Sequence, residues 1–100
     1  MRYRLGDLEI DEDSFAIRRN GALLGLEPRV FELVVYLIRN RTRMITKDEL
    51  LDHVWHGYSV GGSVITRGIS IARAILRRQD VIRTVHGRGY QWVAPVSVDR

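Results

Sequence analysis

The sequence has no cysteine and only two prolines among its 100 residues. The lack of cysteine excludes disulfides, thiolate metal sites and a cysteine nucleophile, and it fits a reducing compartment. No apolar run approaches the roughly twenty residues that a membrane span requires. The charged opening residues also lack the apolar core and cleavage site of a secretory signal. We therefore expect a cytoplasmic location, with no membrane contact within this chain.

Acidic residues are scarce in the last part of the chain. Residues 63–100 hold seven Lys or Arg against two Asp or Glu, whereas residues 1–62 hold nine against ten. The net charge of +4 is therefore a local excess rather than an even basic surface. Such an excess is typical of nucleic-acid-binding surfaces, although a solvated basic face produces the same pattern. The length suits one domain, 1–100.

Residues 1–26 carry the alternating pattern of half-buried antiparallel strands. Asn20-Gly21 is a strong hairpin turn, and a short strand around Ala22 to Leu24 follows it. Apolar residues alternate with charged ones before that turn. We therefore expect a small N-terminal sheet whose inward residues include Tyr3, Leu5, Leu8, Ile10, Phe15 and Ile17.

Three helices are predicted within residues 27–78. Proline at the first helical position and an apolar stripe indicate a helix from Pro28 to about Arg39. Thr46 and Glu49 form a capping box, which predicts a second helix to about Trp55. A third helix spans about Ser63 to Arg77. At 100° per residue its core positions are Ile65, Ile69, Ala72 and Leu76.

The opposite face of this third helix is small and basic. Residues 79–96 then predict a hairpin with strands at Val81–Val85 and Tyr90–Val93 and the cationic tip His86-Gly87-Arg88-Gly89. Together these elements predict an α+β fold of the winged helix-turn-helix type. The major groove admits one such helix, and arginine reaches guanine acceptors or phosphates from it. The outward residues are Ser63, Arg67, Ser70 and Ala74, with Thr66, Arg73 and Arg77 along one edge.

Other chemistries have weaker support in the sequence. His53 and His56 are three residues apart but lack a third ligand, so we expect no metal site. Trp55 and Trp92 fall at inward positions and are predicted to be core residues rather than stacking platforms. No nucleophile–base pair, carboxylate pair or phosphate loop is recognisable. We therefore expect neither an enzyme nor a cofactor.

Five stretches together resemble the OmpR/PhoB-type winged-helix domain of bacterial transcription regulators. They are YRLGDLEID, LEPRVFELVVYLIRN, ITKDELLDHVW, GGSVITRGISIARAIL and VIRTVHGRGYQWVA, and their combined order is specific. The resemblance implies a four-stranded N-terminal sheet, three helices and a C-terminal hairpin. It also implies double-stranded promoter DNA as the partner, with the third helix in the major groove and the wing at the minor groove. If Met1 is native, no receiver domain precedes this one, as in ToxR/CadC-like regulators.

The resemblance also assigns candidate contacts. It implies RNA polymerase as a partner of the loop His56 to Gly62, and a homodimer on DNA is a further expectation. Gly68 and Ile71 stand where the family carries larger polar groups, and Glu27 replaces the threonine that caps the first helix. The residues that it places at or near DNA are Ser63, Val64, Arg67, Gly68, Ile71 and Arg73 on the helix, with His86 and Arg88 on the wing. The position of Thr66, Ser70 and Arg77 on or beside the outward face of the third helix makes them further candidate DNA contacts.

Individual roles can be predicted from position and charge. Arg67 is the expected base contact, because it lies in the middle of the outward face, and Arg73 is the expected phosphate clamp at its edge. Arg88 is expected to replace His86 as the main wing contact, since arginine stays charged whereas free histidine is mostly neutral at pH 7.5. Gly87 and Gly89 would let its backbone approach DNA. A winged helix used as a protein-interaction module is the alternative, and salt dependence of binding separates the two.

Overall fold

The computed structural model of the protein describes residues 1–57 and 63–99. It confirms the predicted α+β class, with an N-terminal antiparallel sheet, three helices and a C-terminal hairpin. In chain order the elements are β1 (Arg2–Leu5), β2 (Leu8–Asp11), β3 (Ala16–Arg19), β4 (Ala22–Leu23), α1 (Pro28–Arg39), β5 (Ile45–Thr46), α2 (Lys47–His53), α3 (Ser63–Leu76), β6 (Ile82–Val85), β7 (Gly89–Trp92) and β8 (Ser97–Asp99).

The N-terminal sheet has five strands in the order β4-β3-β2-β1-β8. The first four strands agree with the sequence prediction, including the turn at Asn20-Gly21. The fifth strand, β8, was not predicted. It lies beyond the predicted hairpin region 79–96 and pairs antiparallel with β1, Val98 opposite Tyr3. The end of the wing segment therefore returns to the sheet that opens the chain.

The wing belongs to a second sheet of three strands in the order β5-β7-β6. The hairpin of β6 and β7 confirms the two predicted strands, with bounds that differ by one residue. Strand β5 was not predicted. It pairs Ile45 with Tyr90 and Thr46 with Gly89. The wing is thus hydrogen-bonded to the two residues that lead directly into α2.

The ends of the helices follow the sequence signals only in part. Thr46 Oγ1 accepts a hydrogen bond from the Glu49 backbone N–H at 3.1 Å, as the capping box predicts. The other half of the box is wrong, because the Glu49 carboxylate instead accepts bonds from Arg43, at 2.8 and 2.7 Å, and from the Tyr36 hydroxyl. Glu49 therefore joins α2 to α1 and to the turn between them.

The core lies between the N-terminal sheet and the helices. The four predicted core positions of α3 are all at most 1% exposed, and α1 contributes fully buried Leu33, Leu37 and Ile38. Trp55 and Trp92 are buried, as predicted. Phe15 is not an inward strand residue. It lies in the turn after β2 at φ 55°, is 49% exposed, and packs its ring 4.2 Å from that of Phe31.

Within residues 1–57 and 63–99, no helix has the length and apolar character that crossing a membrane requires.

Candidate nucleic-acid interface

The outward face of α3 is the first part of the candidate interface. The structure confirms that its predicted members Ser63, Thr66, Ser70 and Ala74 are exposed around Arg67. The Arg67 side chain is 67% exposed, and its Nη2 lies 3.4 Å from a Glu27 carboxylate oxygen. An exposed ion pair contributes at most about 1 kcal/mol. Arg67 can therefore exchange this partner for a ligand at small energetic cost.

Gly68 does not belong to this outward face, and the prediction that it lies at the DNA surface is wrong. It is buried, and a Cβ there would lie 3.2 Å from Leu33 Cδ2 and 3.3 Å from Trp55 Cη2. The glycine thus allows α3 to pack closely on α1 and Trp55. Its position three residues after Ile65 and four before Ala72 places it on the core stripe, which the helical period could have shown.

Val64 and Ile71 flank the outward face rather than form it. Both are half-buried and pack against the edge of the core. Each exposes only part of its side chain, so it could make an apolar contact with a ligand that lies against the helix but could not extend to a more distant one. Among these three residues, only Arg67 has a long, exposed side chain.

The structure also locates the Arg73 side chain. The guanidinium Nη2 donates to the Ile82 carbonyl oxygen and, at 3.0 Å, to Thr84 Oγ1, both on β6. Its Nε is buried, and no partner for it lies among the described residues. The Arg73 side chain is half-buried and bridges α3 to the wing, and its predicted role as a phosphate clamp at the edge of α3 stays a prediction.

The C-terminus of α3 is fixed by backbone and side-chain donors. Arg77 adopts φ 56°, its N–H bonds to the Ala74 carbonyl and the Arg78 N–H bonds to the Arg73 carbonyl, both at 3.2 Å. This pair of bonds is the Schellman arrangement, with arginine where glycine is usual. Arg19 on β3 donates to the Ile75 carbonyl at 3.0 Å. Arg77 is exposed as predicted, but it lies just beyond the helix, not within it.

The wing tip is the second part of the interface. His86, Gly87 and Arg88 are exposed, as predicted, and the Arg88 N–H closes the turn onto the Val85 carbonyl at 2.9 Å. Gly87 has φ +74°, a conformation that favours glycine. The sequence analysis predicted that Gly89 also lets the Arg88 backbone approach DNA, and this prediction is wrong. Gly89 is buried, so it does not free the Arg88 backbone for DNA.

Gly89 is required by the packing of the second sheet. A Cβ at this position would lie 1.9 Å from the Ile45 carbonyl oxygen, 2.8 Å from the Ile45 carbonyl carbon and 2.9 Å from Thr46 Cα. Only glycine lets β7 come this close to β5. The close approach of the two strands is therefore what places the end of β5 against the wing tip.

Lys47 is a candidate residue that the sequence reasoning missed. It is exposed, it opens α2, and its backbone N–H bonds to the Arg88 carbonyl at 3.3 Å. The backbones of Lys47 and Arg88 are therefore adjacent, and both residues are exposed. The charge count did not reveal this pair, because Lys47 belongs to the nearly neutral first part of the chain. The contact depends on β5, whose two residues are too few to show a period.

Most of the loop predicted to contact RNA polymerase, residues 58–62, lies outside the described residues. At its start His56 and Gly57 are exposed with positive φ values, and His56 Nε2 lies 3.6 Å from a Glu32 carboxylate oxygen. The His53 ring stacks on Tyr36 at 5.5 Å between centroids. In the described ranges, no group of three or more His, Cys, Asp or Glu side chains could hold a metal ion.

A helix with a small, basic outward face, bridged to a hairpin with a cationic tip, defines a winged-helix domain of the DNA-binding class. Residues 21–92 match the family described as "Transcriptional regulatory protein, C terminal", and the chain belongs to this family. This confirms the OmpR/PhoB-type resemblance inferred from the sequence.

Individual relatives agree with this assignment. The chain is 36% identical over 98 residues to the transcriptional activator CadC of Escherichia coli (strain K12), covering 93% of this chain and 19% of CadC. Its fold is similar to that of the E. coli CadC DNA-binding domain, with a TM-score of 0.82 and 35% identity over 96% of this chain and 94% of that one. The chain thus spans about a fifth of the CadC sequence.

A second solved structure is similar in fold. It is the Klebsiella pneumoniae RstA DNA-binding domain in complex with the RstA box, with a TM-score of 0.75 and 23% identity over 91% of this chain and 95% of that one. At this identity the comparison concerns the fold alone.

Proposed function

We propose that this domain binds double-stranded promoter DNA sequence-specifically as part of a bacterial transcription regulator. In this proposal α3 enters the major groove and the β6–β7 hairpin lies at the minor groove. The observation that carries it is the exposed face of α3, where the exposed neighbours of Arg67 are no larger than threonine and the flanking Val64 and Ile71 are half-buried. The RstA DNA-binding domain, which has a similar fold, was solved in complex with the RstA box, and this supports DNA as the ligand.

Arg67 is the proposed base contact. Small neighbours let the helix backbone approach the groove floor, and a guanidinium binds the O6 and N7 acceptors of guanine through two hydrogen bonds. Glu27 Oε1, 3.4 Å away, is the group that DNA replaces. Because this pair is exposed on both sides, its loss subtracts little from the binding free energy.

Arg88 is the proposed wing contact, with Lys47 beside it as a phosphate contact. Arginine suits the negative potential of a narrow A·T-rich minor groove, and the exposed turn at Gly87 lets the tip approach the sugar-phosphate backbone. Lys47, whose backbone N–H bonds to the Arg88 carbonyl, carries a compact charge that suits a phosphate oxygen rather than a base. His86 is exposed on the same tip but contributes less than Arg88 in this proposal.

Two further partners belong to the proposal. RNA polymerase would bind the loop His56 to Gly62, and two copies of the domain would bind together on DNA. The family resemblance supports the first contact, and the second is an expectation without a structural contact behind it. Stepwise formation of two protein–DNA complexes on one operator, followed by gel shift, tests the second. Alanine substitution at exposed His56, assayed by transcription in vitro with DNA affinity unchanged, tests the first.

The main experiment combines selection of a preferred duplex with fluorescence anisotropy at several salt concentrations. Release of counterions predicts a log–log slope of about 0.9 per neutralised phosphate. Arg67→Ala should weaken the preferred duplex by about 1–3 kcal/mol and relax base preference. Arg4→Ala is the matched control, because it removes the same charge from an exposed side chain on β1 that pairs with Glu9.

Three results would contradict the proposal. A flat salt dependence, or no DNA binding at low salt, would favour the protein-interaction alternative. Equal losses on preferred and unrelated duplexes for Arg67→Ala would remove Arg67 from base reading. At the wing, Arg88→Ala should reduce the preference for A·T-rich flanks without lowering the melting temperature. A larger loss in His86→Ala at pH 7.5 would show that the histidine is the wing contact.

A further inference from the structure

Arg73 occupies the junction between α3 and the wing. Its Nη2 donates to two acceptors on β6, the Ile82 carbonyl oxygen and Thr84 Oγ1, which lie two residues apart along the strand. Both bonds come from one nitrogen atom, so they hold the end of the Arg73 side chain against this part of β6. The contact therefore constrains where β6 lies relative to α3.

The contact is poorly explained as a stabilising device. Its Nε is buried without a partner among the described residues, and an unpaired buried donor on a charged group is unfavourable. An apolar side chain of similar length would fill the same space without that penalty. What an apolar side chain cannot do is hold β6 at a defined orientation to α3.

The helix end of this bridge is itself held in place. The Ile75 carbonyl, two residues after Arg73, accepts a bond from Arg19 on β3. The next two N–H groups beyond α3 close back onto Ala74 and Arg73. The end of α3 is therefore held against the N-terminal sheet. Because Arg73 is bonded to β6, the same contacts also restrict where the wing lies relative to that sheet.

We propose that Arg73 is a positioning residue that sets the angle between α3 and the wing, so that Arg67 and Arg88 reach adjacent grooves of one duplex together. This inference rests on the proposed function. It assigns to Arg73 a role that acts through Arg88, not a direct contact with phosphate. The two roles make different predictions for paired substitutions.

A double-mutant cycle separates the two roles. Arg73→Met keeps the side-chain length and should weaken binding of the preferred duplex about tenfold when Arg88 is present, but less than about twofold in an Arg88→Ala background. A phosphate clamp would give the same loss in both backgrounds and would lower the salt slope by about 0.9 in each. Arg4→Ala, which removes a distant charge, should be additive with Arg88→Ala.

Thr84→Val provides a second variant that leaves α3 and its charge unchanged. It removes one acceptor of the bridge with little change of volume, so it should reproduce part of the Arg73→Met loss and depend on Arg88 in the same way. A phosphate clamp would be insensitive to it. This variant keeps the inference testable if Arg73→Met fails to fold.

Residual dipolar couplings of the free domain test the angle without DNA. In Arg73→Met the couplings of α3 should keep their fit to the N-terminal sheet, while those of β6 and β7 should report a changed orientation. Unchanged wing orientation, or additive losses in the cycle, would overturn the inference. If the wild-type domain binds no DNA, the proposed function fails, and the couplings still decide whether Arg73 fixes the wing.

Discussion

Replacing Gly89 by alanine should separate the wing sheet from the start of α2. The added Cβ would lie 1.9 Å from the Ile45 carbonyl oxygen and below 3.0 Å from two further backbone atoms of β5. A backbone cannot move aside as a flexible side chain can. Strand β5 must therefore shift away from β7, and its two pairings, Ile45 with Tyr90 and Thr46 with Gly89, must weaken or break.

The size of the effect follows from what is lost. Two or three backbone hydrogen bonds, including the one from Lys47 N–H to the Arg88 carbonyl, contribute about 1 kcal/mol each, which gives about 2–3 kcal/mol of unfolding free energy. Ile45, fully buried in the native domain, would also lose packing. Gly87→Ala is the matched control. A Cβ there meets nothing within 4 Å, so only the left-handed φ contributes, at about 1 kcal/mol.

Urea unfolding followed by tryptophan fluorescence measures both variants. We expect the Gly89→Ala midpoint to fall well below that of Gly87→Ala, with unchanged m-values. If the two variants differ by less than about 0.5 kcal/mol, the packing argument for Gly89 is refuted. Such a result would mean that β5 and β7 can move apart at no cost.

Three further predictions concern other positions. Hydrogen bonds from Arg43 and Tyr36 hold the pKa of Glu49 at about 2 instead of 4.5. The free energy of unfolding should therefore fall by about 1–2 kcal/mol, allowing for solvent screening, as the pH drops from 4.5 towards 2, and acid titration of Glu49→Gln should lack this step. Gly68→Ala should lower the melting temperature, because overpacking against buried Leu33, about 1–3 kcal/mol, outweighs a helix-propensity gain of about 1 kcal/mol. Weaker DNA binding at unchanged stability would contradict that burial. Arg77→Gly should raise the urea midpoint by relieving about 1 kcal/mol of left-handed strain, and a lower midpoint would show that the arginine side chain stabilises the domain.

The sequence predicts elements whose stabilising pattern is local. The stripe of α1, the cap at Thr46 and the core positions of α3 repeat within a few residues, so periodicity finds them. Strands β5 and β8 have two and three residues, too few for a period. Each depends on a partner more than 40 positions away in the chain, Gly89 for Thr46 and Tyr3 for Val98. No local signal specifies such pairing.

In the candidate site, too, features that depend on a local pattern were predicted, and features that depend on contacts between distant segments were not. Exposure of Arg67 and of the wing tip was predictable, because the helical period and the glycine-bearing turn determine it. The bridge from Arg73 to β6 and the burial of Gly68 were not predicted, although for different reasons. Gly68 lies on the core stripe but has no apolar side chain to mark it. Arg73 lies on a polar edge, and only the tertiary approach of β6 turns that edge into a junction.

The pairing of β8 with β1 has a consequence for folding and local opening. It joins Val98 to Tyr3, so it closes a loop of nearly the whole chain, whereas the other pairings of that sheet are between neighbouring strands. All three residues of β8 are exposed, so little apolar burial offsets the loop-closure entropy. We therefore expect β8 to dock late in folding and to detach first under native conditions, with amide protons that exchange faster than those of β2. While β8 is detached, the outer hydrogen-bonding groups of β1 form an open edge that can accept a strand from elsewhere.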